Sequence, residues 1–283
     1  MERLSYSNAL NRAFLMLKES DKFPEDAEYL MEELSGFNYT QLQIHRNELV
    51  PDDIQEQFDN GLKRLLHDEP VQYILGSAYF MGRKFLVDQN VLIPRQETEE
   101  MVDQAINDNN RKDLQILDIG TGSGVIAISL ALAFPESQII ASDISEAALR
   151  VASKNANIFQ CANISFVQSD LFDNLGDQKF DVIVSNPPYI AGSEKDVMDD
   201  SVKKYEPDLA LYGENEGLEI YQRISKVVDD HLADGGNLYM EFGYHQKNQI
   251  QQIFGKNMSQ YVVKFYKDIS GNYRYLKAQR KKV

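Results

Sequence analysis

The sequence is short of cysteine and of clustered histidine. Cys161 is its only cysteine, which excludes an intramolecular disulfide and a cysteine-based metal cluster. The four histidines show no spacing typical of metal ligands; they are His45, His67, His231 and His245. We therefore expect no bound metal.

Long apolar runs are also missing. No run of about 18 apolar residues occurs, so the sequence predicts no membrane span. The first residues, MERLSYSNALNR, lack the apolar stretch of a signal peptide. Hydrophobic residues still make up 43% of the 283 residues, enough for a sizeable core. We expect a cytoplasmic monomer without a membrane partner.

Basic residues are outnumbered. The chain has 29 Lys plus Arg against 44 Asp plus Glu, a net charge of −15. A general nucleic-acid binder usually needs a basic surface to neutralise phosphates, so we expect no direct nucleic-acid partner. An acidic surface favours encounter with a basic partner, although it is equally consistent with a protein that is simply soluble.

The pattern of the chain changes after about 70 residues. The first 70 residues contain 15 acidic and 7 basic side chains and have helical periodicity only, which predicts a small acidic bundle. Two short apolar runs then flank Gly82 and predict a β-hairpin. We assign residues 1–74 to a helical N-terminal domain, 75–95 to a hairpin linker and 96–283 to a catalytic domain.

The catalytic domain alternates strand patterns with helical ones. Five apolar runs of strand length lie at residues 115–119, 138–142, 164–167, 181–185 and 237–242. A further strand pair is predicted at residues 261–267 and 273–278. Such alternation implies βαβ units, and hence an α/β, Rossmann-like fold with a mostly parallel sheet of seven strands.

A glycine-rich loop directly follows the first of these strands. Gly120, Gly122 and Gly124 alternate with Thr121 and Ser123, and the next helix begins at once. Glycine lets the backbone turn tightly and approach a ligand closely, because no Cβ intervenes. The spacing is neither that of a dinucleotide fold nor that of a phosphate loop.

Acidic residues end the next two strands. Asp143 would lie beside the glycine loop, where a carboxylate can accept hydrogen bonds from ribose hydroxyls. Its alternative role is to cap the following helix, although Ser145 could do that as well. After the third strand, Asp170 could contact an adenine amino group while Leu171 packs on the ring; capping or plain packing is the alternative.

The fourth strand ends in Asn186-Pro187-Pro188-Tyr189. The prolines stiffen the backbone and remove two N–H donors, so the corner presents acceptor oxygens. The amide oxygen of Asn186 and the carbonyl of Pro187 could each accept one hydrogen of an NH₂ group, with Tyr189 lying against the flat acceptor. That grip suits methyl transfer from S-adenosylmethionine to a planar nitrogen. An ordinary strand-to-loop corner is the alternative.

The chain closely resembles the HemK/PrmC family, the protein-(glutamine-N5) methyltransferases of class-1 peptide chain release factors. The resemblance covers essentially the whole chain. The segments that carry it most specifically are residues 93–99 (IPRQETE), 118–124 (DIGTGSG), 185–190 (SNPPYI) and 206–211 (EPDLAL).

The resemblance implies the substrate and several residue roles. The substrate would be the glutamine of the release factor's Gly-Gly-Gln loop, and Asn186 to Tyr189 would bind it. Gly120 to Gly124, Asp143, Leu171 and Asn186 would line the S-adenosylmethionine site. The N-terminal helices would help to grip the release factor. Arg95 and Glu97 would either close over the cofactor end of the site or brace the linker.

Three other functions compete with this one. An N6-adenine methyltransferase of DNA or RNA could use the same corner, but it would need a basic groove that the sequence lacks. A glutamine methyltransferase of a ribosomal protein shares the corner motif as well. A catalytically silent binding module is disfavoured by the intact glycine loop together with Asp143 and Asn186.

Overall fold

The computed structural model describes residues 3–281, which form two compact units. Within the described residues, one unit comprises residues 3–77 and Asp199–Tyr205, and the other comprises Ala78–Met198 and residues 206–281. Residues 1–2 and 282–283, at the outer ends of the predicted domains, lie outside the described residues.

The first unit is helical. Its helices are α1 (Tyr6–Glu19), α2 (Glu25–Ser35), α3 (Tyr39–Ile44), α4 (Asp52–Leu65), α5 (Val71–Leu75) and α9 (Asp200–Tyr205). Gly36 ends α2 in the left-handed conformation (φ +70°), which glycine adopts readily. Leu17, Leu30 and Phe58 are buried in its core. The all-helical prediction for this region is confirmed, although α3 and α5 are too short to be predicted from periodicity.

The second unit begins with a hairpin and continues as an α/β sheet. The hairpin strands are β1 (Ser77–Phe80) and β2 (Arg83–Leu86). The sheet strands are β3 (Gln115–Ile119), β4 (Gln138–Asp143), β5 (Ile164–Gln168), β6 (Phe180–Ser185), β7 (Leu232–Glu241), β8 (Tyr261–Lys267) and β9 (Tyr273–Arg280). The helices are α6 (Gln96–Asp108), α7 (Val125–Ala133), α8 (Glu146–Ile158), α10 (Asp208–Leu211), α11 (Glu214–Gly217), α12 (Glu219–His231) and α13 (Lys247–Asn257). A 3₁₀ segment covers Gly192–Val197.

The sheet order within residues 3–281 is β5-β4-β3-β6-β7-β9-β8. All pairs from β5 to β7 are parallel, and only β9 runs antiparallel to its two neighbours. The predicted Rossmann-like, mostly parallel sheet of seven strands is therefore confirmed.

Both faces of the sheet are covered. Val182 and Val184 belong to one buried cluster, whereas Ile183 between them belongs to the other, as the alternation of strand side chains requires. Burial of each such side chain contributes roughly 1.5–3 kcal/mol to folding. Among residues 3–281 no helix combines the length and apolarity that a membrane crossing requires.

Strand register brings four chain segments to one edge of the sheet. Ile119 pairs with Ser142 on one side and with Ser185 on the other, and Ser185 pairs with Met240. The next residue of each strand therefore lies at the same edge. These four residues are Gly120, Asp143, Asn186 and Glu241.

Candidate active site

A cavity of about 480 Å³ opens at this edge of the second unit. Such a position, at the carboxyl ends of parallel strands, is where open α/β sheets bind ligands. Among the site residues predicted from the sequence, those that line the cavity are Gly120, Thr121, Gly122, Ser123, Asp143, Asp170, Leu171, Asn186, Pro187, Pro188 and Arg95. The structure thus brings most of the residues singled out from the sequence into one cavity.

The glycine loop has the backbone conformation that its sequence suggests. Gly120 and Gly122 have φ values of +72° and +54°, and a Cβ at either would meet nothing within 4 Å. The amides of Gly120 and Thr121 both donate to the carbonyl of Ser142, at 2.8 and 2.9 Å. The loop is therefore fixed to the neighbouring strand while its glycines leave open space.

Asp118 braces the loop from inside the core. Its Oδ2 accepts hydrogen bonds from Thr121 Oγ1 at 2.6 Å and from the amide of Ala127 at 3.1 Å. Burial raises the pKa of the Asp118 carboxyl to about 7. The side chain is fully buried and supports the loop from behind.

Gly124 lies outside the cavity wall, unlike the other two loop glycines. Its φ is +84°, and a Cβ there would lie 3.0 Å from the Cβ of Ala152 and 3.2 Å from its Cα. The glycine therefore allows α7 and α8 to pack closely. The structure supports a packing role for Gly124, and its contact with the ligand stays a prediction.

Asp143 faces both the cavity and the glycine loop. Its Oδ2 accepts from the amide of Gly122 at 2.9 Å, and its Oδ1 accepts from the amide of Ser145 at 2.8 Å. Ser145 is the N-cap of α8, so Asp143 does not serve as that cap. Burial raises the pKa of Asp143, although these amide hydrogen bonds oppose the increase.

Asp170 and Leu171 form the wall next to Asp143. Asp170 Oδ2 lies 2.9 Å from Arg223 Nη2, and both side chains remain partly exposed. Leu171 has a left-handed backbone (φ +50°), uncommon outside glycine, and also packs against the core. Arg223 also lines the cavity and was not anticipated from the sequence.

Asn186 is held by a hydrogen-bond chain that sequence reasoning missed. Asn186 Nδ2 donates to Thr98 Oγ1 at 3.0 Å, and Thr98 Oγ1 donates to Glu241 Oε2 at 2.6 Å. The Tyr189 hydroxyl donates to the other oxygen, Glu241 Oε1, at 3.2 Å. Thr98 and Glu241 are almost fully buried, at 3% and 1% exposure.

Tyr189 is not among the residues that line the cavity, and its contact with the acceptor stays a prediction. Its ring packs against the core, and its carbonyl accepts from Gln246 Nε2 at 2.8 Å. Burial, followed by the nearby charge of Glu241, raises the pKa of the Tyr189 phenol above its ordinary value. The phenol therefore stays neutral and anchors the corner.

The segment around α10 and α11 packs against the same corner. Ile190 donates its amide to the carbonyl of Leu211 at 3.0 Å, and Gly213 donates to the carbonyl of Ile190 at 3.1 Å. A Cβ on Gly213 would lie 2.7 Å from the carbonyl oxygen of Pro188. Six residues of this segment also line the cavity: Pro207, Leu209, Ala210, Tyr212, Gly213 and Glu214.

Arg95 lies at the cavity wall and is ion-paired. Its Nη2 lies 2.5 Å from Glu206 Oε1, and the amide of Ile93 donates to Glu206 Oε2 at 3.3 Å. The Glu206 side chain is 1% exposed. Arg95 therefore braces the segment that leads into α6, whereas Glu97 lies outside the cavity lining.

Two family models match the chain. The model of the methyltransferase small domain matches residues 99–214, and that of the PrmC N-terminal domain matches residues 8–76.

Curated relatives match along most of the length. A release factor glutamine methyltransferase of Lactococcus lactis subsp. lactis is 47% identical over 251 residues, which cover 89% of this chain and 92% of the relative. A protein of the same description from Enterococcus faecalis is 39% identical over 269 residues, covering 95% of this chain and 97% of the relative.

A solved methyltransferase from Pyrococcus furiosus has a similar structure. Its TM-score is 0.54 at 21% identity, and the match covers 80% of this chain and 100% of that one. At that identity the similarity shows the fold alone.

Proposed function

The chain belongs to the family of release factor glutamine methyltransferases, and we propose that it methylates the glutamine of the Gly-Gly-Gln motif in a class-1 peptide chain release factor. The methyl donor is S-adenosylmethionine and the acceptor is N5 of the side-chain amide. The observation that carries this proposal is the position of Asn186, in the wall of the cavity that also contains Gly120, Gly122 and Asp143.

The cavity suits S-adenosylmethionine. Its volume of about 480 Å³ falls within the usual range for cofactor sites. Gly120 and Gly122 leave open space for close approach, and the Asp143 carboxylate can accept from the ribose hydroxyls. Asp170 and Leu171 also line the cavity, where the carboxylate would accept from the adenine amino group and the leucine would pack on the ring. The bound cofactor supplies a methyl group activated by its sulfonium charge.

The acceptor nitrogen needs help from the protein. An amide nitrogen is a poor nucleophile because its lone pair is delocalised into the carbonyl. Asn186 Oδ1 and the carbonyl of Pro187 would accept its two N–H groups, which orients the nitrogen and stabilises the positive charge that grows on it. The nitrogen would form a bond to the methyl carbon while the carbon–sulfur bond breaks and its electron pair stays on sulfur, leaving a neutral thioether. The nitrogen would then lose one proton to solvent.

The residues around Asn186 and Pro187 have supporting roles. Pro188 shapes the wall next to Asn186, and Tyr189 anchors the corner through its hydroxyl and its carbonyl. Thr121 and Ser123 complete the cofactor loop. Because the phenol of Tyr189 has a raised pKa and bonds to Glu241, it does not act as the base.

We propose that the division into residues 1–74, 75–95 and 96–283 is also a division of labour. The helical domain docks the release factor, the hairpin links it to the catalytic domain, and residues 96–283 carry out the transfer. The net charge of −15 favours a partner with basic surface. The protein acts as a cytoplasmic monomer, without a nucleic-acid partner.

The test is transfer of labelled methyl to three acceptors. They are a purified class-1 release factor, its Gly-Gly-Ala variant and duplex DNA. The proposal predicts label on the intact factor alone. Equal label on the Gly-Gly-Ala variant would contradict the assigned glutamine, and label on DNA alone would make the enzyme an adenine methyltransferase.

A further inference from the structure

Thr98 lies between Asn186 and the buried carboxylate of Glu241. We propose that Thr98 and Glu241 are positioning residues that fix which end of the Asn186 amide faces the cavity. This inference rests on the proposed function, because it concerns the same amide that would grip the substrate.

The direction of the hydrogen bonds follows from the groups involved. A threonine hydroxyl has one hydrogen, and Thr98 donates it to Glu241 Oε2 at 2.6 Å. Toward Asn186 the hydroxyl can therefore only accept, so the NH₂ of Asn186 must face Thr98, at 3.0 Å. Oδ1 is then the free end of the amide, and it is the acceptor that a substrate NH₂ group requires.

Glu241 enforces this direction while it is ionised. A carboxylate only accepts hydrogen bonds, and its two oxygens take the hydroxyls of Thr98 and Tyr189. At 1% exposure, water does not compete for either oxygen. The two corner residues Asn186 and Tyr189 are thus both oriented by one carboxylate, directly or through Thr98.

Protonation of Glu241 would release the constraint. A neutral carboxyl can donate to Thr98, which frees the threonine hydroxyl to donate toward Asn186. The amide could then turn over and present its NH₂ to the cavity, where it would face the NH₂ of the substrate. Only the ionised form of Glu241 therefore supports catalysis.

The surroundings of Glu241 place this change near neutral pH. Burial raises its pKa to about 7, and Glu97 adds to the increase, whereas Thr98, Arg274 and Tyr189 lower it. Tyr221 also contacts this residue, since its hydroxyl donates to the backbone carbonyl of Glu241 at 2.7 Å.

The first experiment removes the hydroxyl of Thr98. Thr98→Val should lower kcat about 30-fold, with the KM for the release factor and the Kd for S-adenosylmethionine changed less than about threefold, because only orientation is lost. Thr98→Ser should restore kcat to within about threefold of the parent. Ser225→Ala, which removes a buried hydroxyl elsewhere in the domain, is the matched control and should behave as the parent.

The second experiment follows kcat against pH. The parent should lose about tenfold in kcat between pH 8 and pH 6, as one carboxylate with a pKa of about 7 becomes protonated. Glu241→Gln, which cannot ionise, should have lower turnover at pH 8 and a flat profile over that range. A full decline in Glu241→Gln would assign the titration to another group and overturn the role of Glu241.

A third readout observes the amide without any turnover. In protein labelled with ¹⁵N-asparagine, the side-chain NH₂ of Asn186 is identified by its loss in Asn186→Ala. Its hydrogens should exchange slowly in the parent and in Thr98→Ser, and much faster in Thr98→Val. Unchanged exchange, with kcat within about twofold of the parent, would overturn the proposal.

The outcomes separate this inference from the function that it rests on. If Asn186→Ala abolishes transfer while Thr98→Val does not impair it, the grip stands and the positioning proposal is wrong. If Asn186→Ala itself turns over normally, the grip is wrong whatever Thr98 does.

Discussion

The backbone of Gly217 lies directly against the carbonyl of Tyr189. A Cβ at Gly217 would overlap that carbonyl oxygen and lie 2.6 Å from the carbonyl carbon. Gly217 has φ +74° and follows two residues that also have positive φ, Asn215 and Glu216. Backbone strain of this kind persists only where the surroundings impose it, and here it lets α11 pack against the catalytic corner.

Gly217→Ala should therefore disturb the corner. The added methyl group must displace Tyr189, so we expect a loss of unfolding free energy of about 2–4 kcal/mol and at least about tenfold lower kcat. Denaturant unfolding followed by circular dichroism, together with the methyl-transfer assay, checks both. Gly255→Ala is the control, because that glycine lies within α13 and a Cβ there meets nothing within 4 Å. Equal behaviour of the two variants would show that the close approach is unimportant.

Asp143→Asn should weaken cofactor binding specifically. One of the amides of Gly122 and Ser145 would then face an NH₂ group instead of a carboxylate oxygen. We expect the Kd for S-adenosylmethionine to rise about 10- to 100-fold, measured by titration calorimetry, with the KM for the release factor little changed. Asp173→Asn, an exposed substitution nearby, is the control. Unchanged cofactor affinity in Asp143→Asn would remove Asp143 from the cofactor site.

Arg95 and Glu206 should be strongly coupled in a double-mutant cycle, so that the loss of unfolding free energy in the double variant is much smaller than the sum of the two single losses. Arg95→Met leaves the Glu206 carboxylate buried without its cation and should cost about 3–5 kcal/mol of unfolding free energy. The double variant Arg95→Met/Glu206→Leu removes both charges and should recover most of that loss. Denaturant unfolding of the parent, both single variants and the double variant gives the coupling. Additive losses would mean that the pair is not an energetic unit.

Glu241 should also make stability depend on pH. Its pKa of about 7 in the folded protein exceeds the ordinary 4.5, so the folded state binds the proton more tightly. The unfolding free energy should therefore fall as pH rises from about 4.5 to 7, by on the order of 3 kcal/mol from this group.

Glu241→Gln should remove the contribution of this carboxyl to the fall of the unfolding free energy with rising pH. The decline that remains comes from other buried carboxyls, among them Asp118, whose pKa is also raised to about 7, and Asp143, whose pKa is raised by burial. Unfolding curves at pH 5 and pH 8 check this, with the exposed Glu136→Gln as the control. The same slope in the parent and in Glu241→Gln would contradict the assignment.

The sequence predicts the parts of the site that are contiguous. The glycine loop, Asp143 and Asn186 each come directly after an apolar strand, and parallel strands bring their carboxyl ends to one edge. The packing role of Gly124 could not be predicted, because sequence spacing does not distinguish a glycine that faces a ligand from one that faces Ala152 across a helix contact.

The parts that sequence could not supply depend on distant pairs. Thr98 and Glu241 are 143 residues apart, and only the register of β6 with β7 places Glu241 beside Asn186. The Tyr189 hydroxyl donates to Glu241 Oε1, so the direction of its side chain could not be predicted without knowing the position of Glu241. The short helices α10 and α11 were missed because they are too short for helical periodicity to be detected.

Locating the transferred methyl group shows whether the acceptor is the predicted glutamine and whether Asn186 is needed for the transfer. A purified class-1 release factor is incubated with S-adenosylmethionine and the parent enzyme or Asn186→Ala, then digested and sequenced by tandem mass spectrometry. We expect a gain of one methyl on the glutamine of the Gly-Gly-Gln peptide with the parent, and almost none with Asn186→Ala. Methylation at any other residue, or equal methylation by the variant, would contradict it.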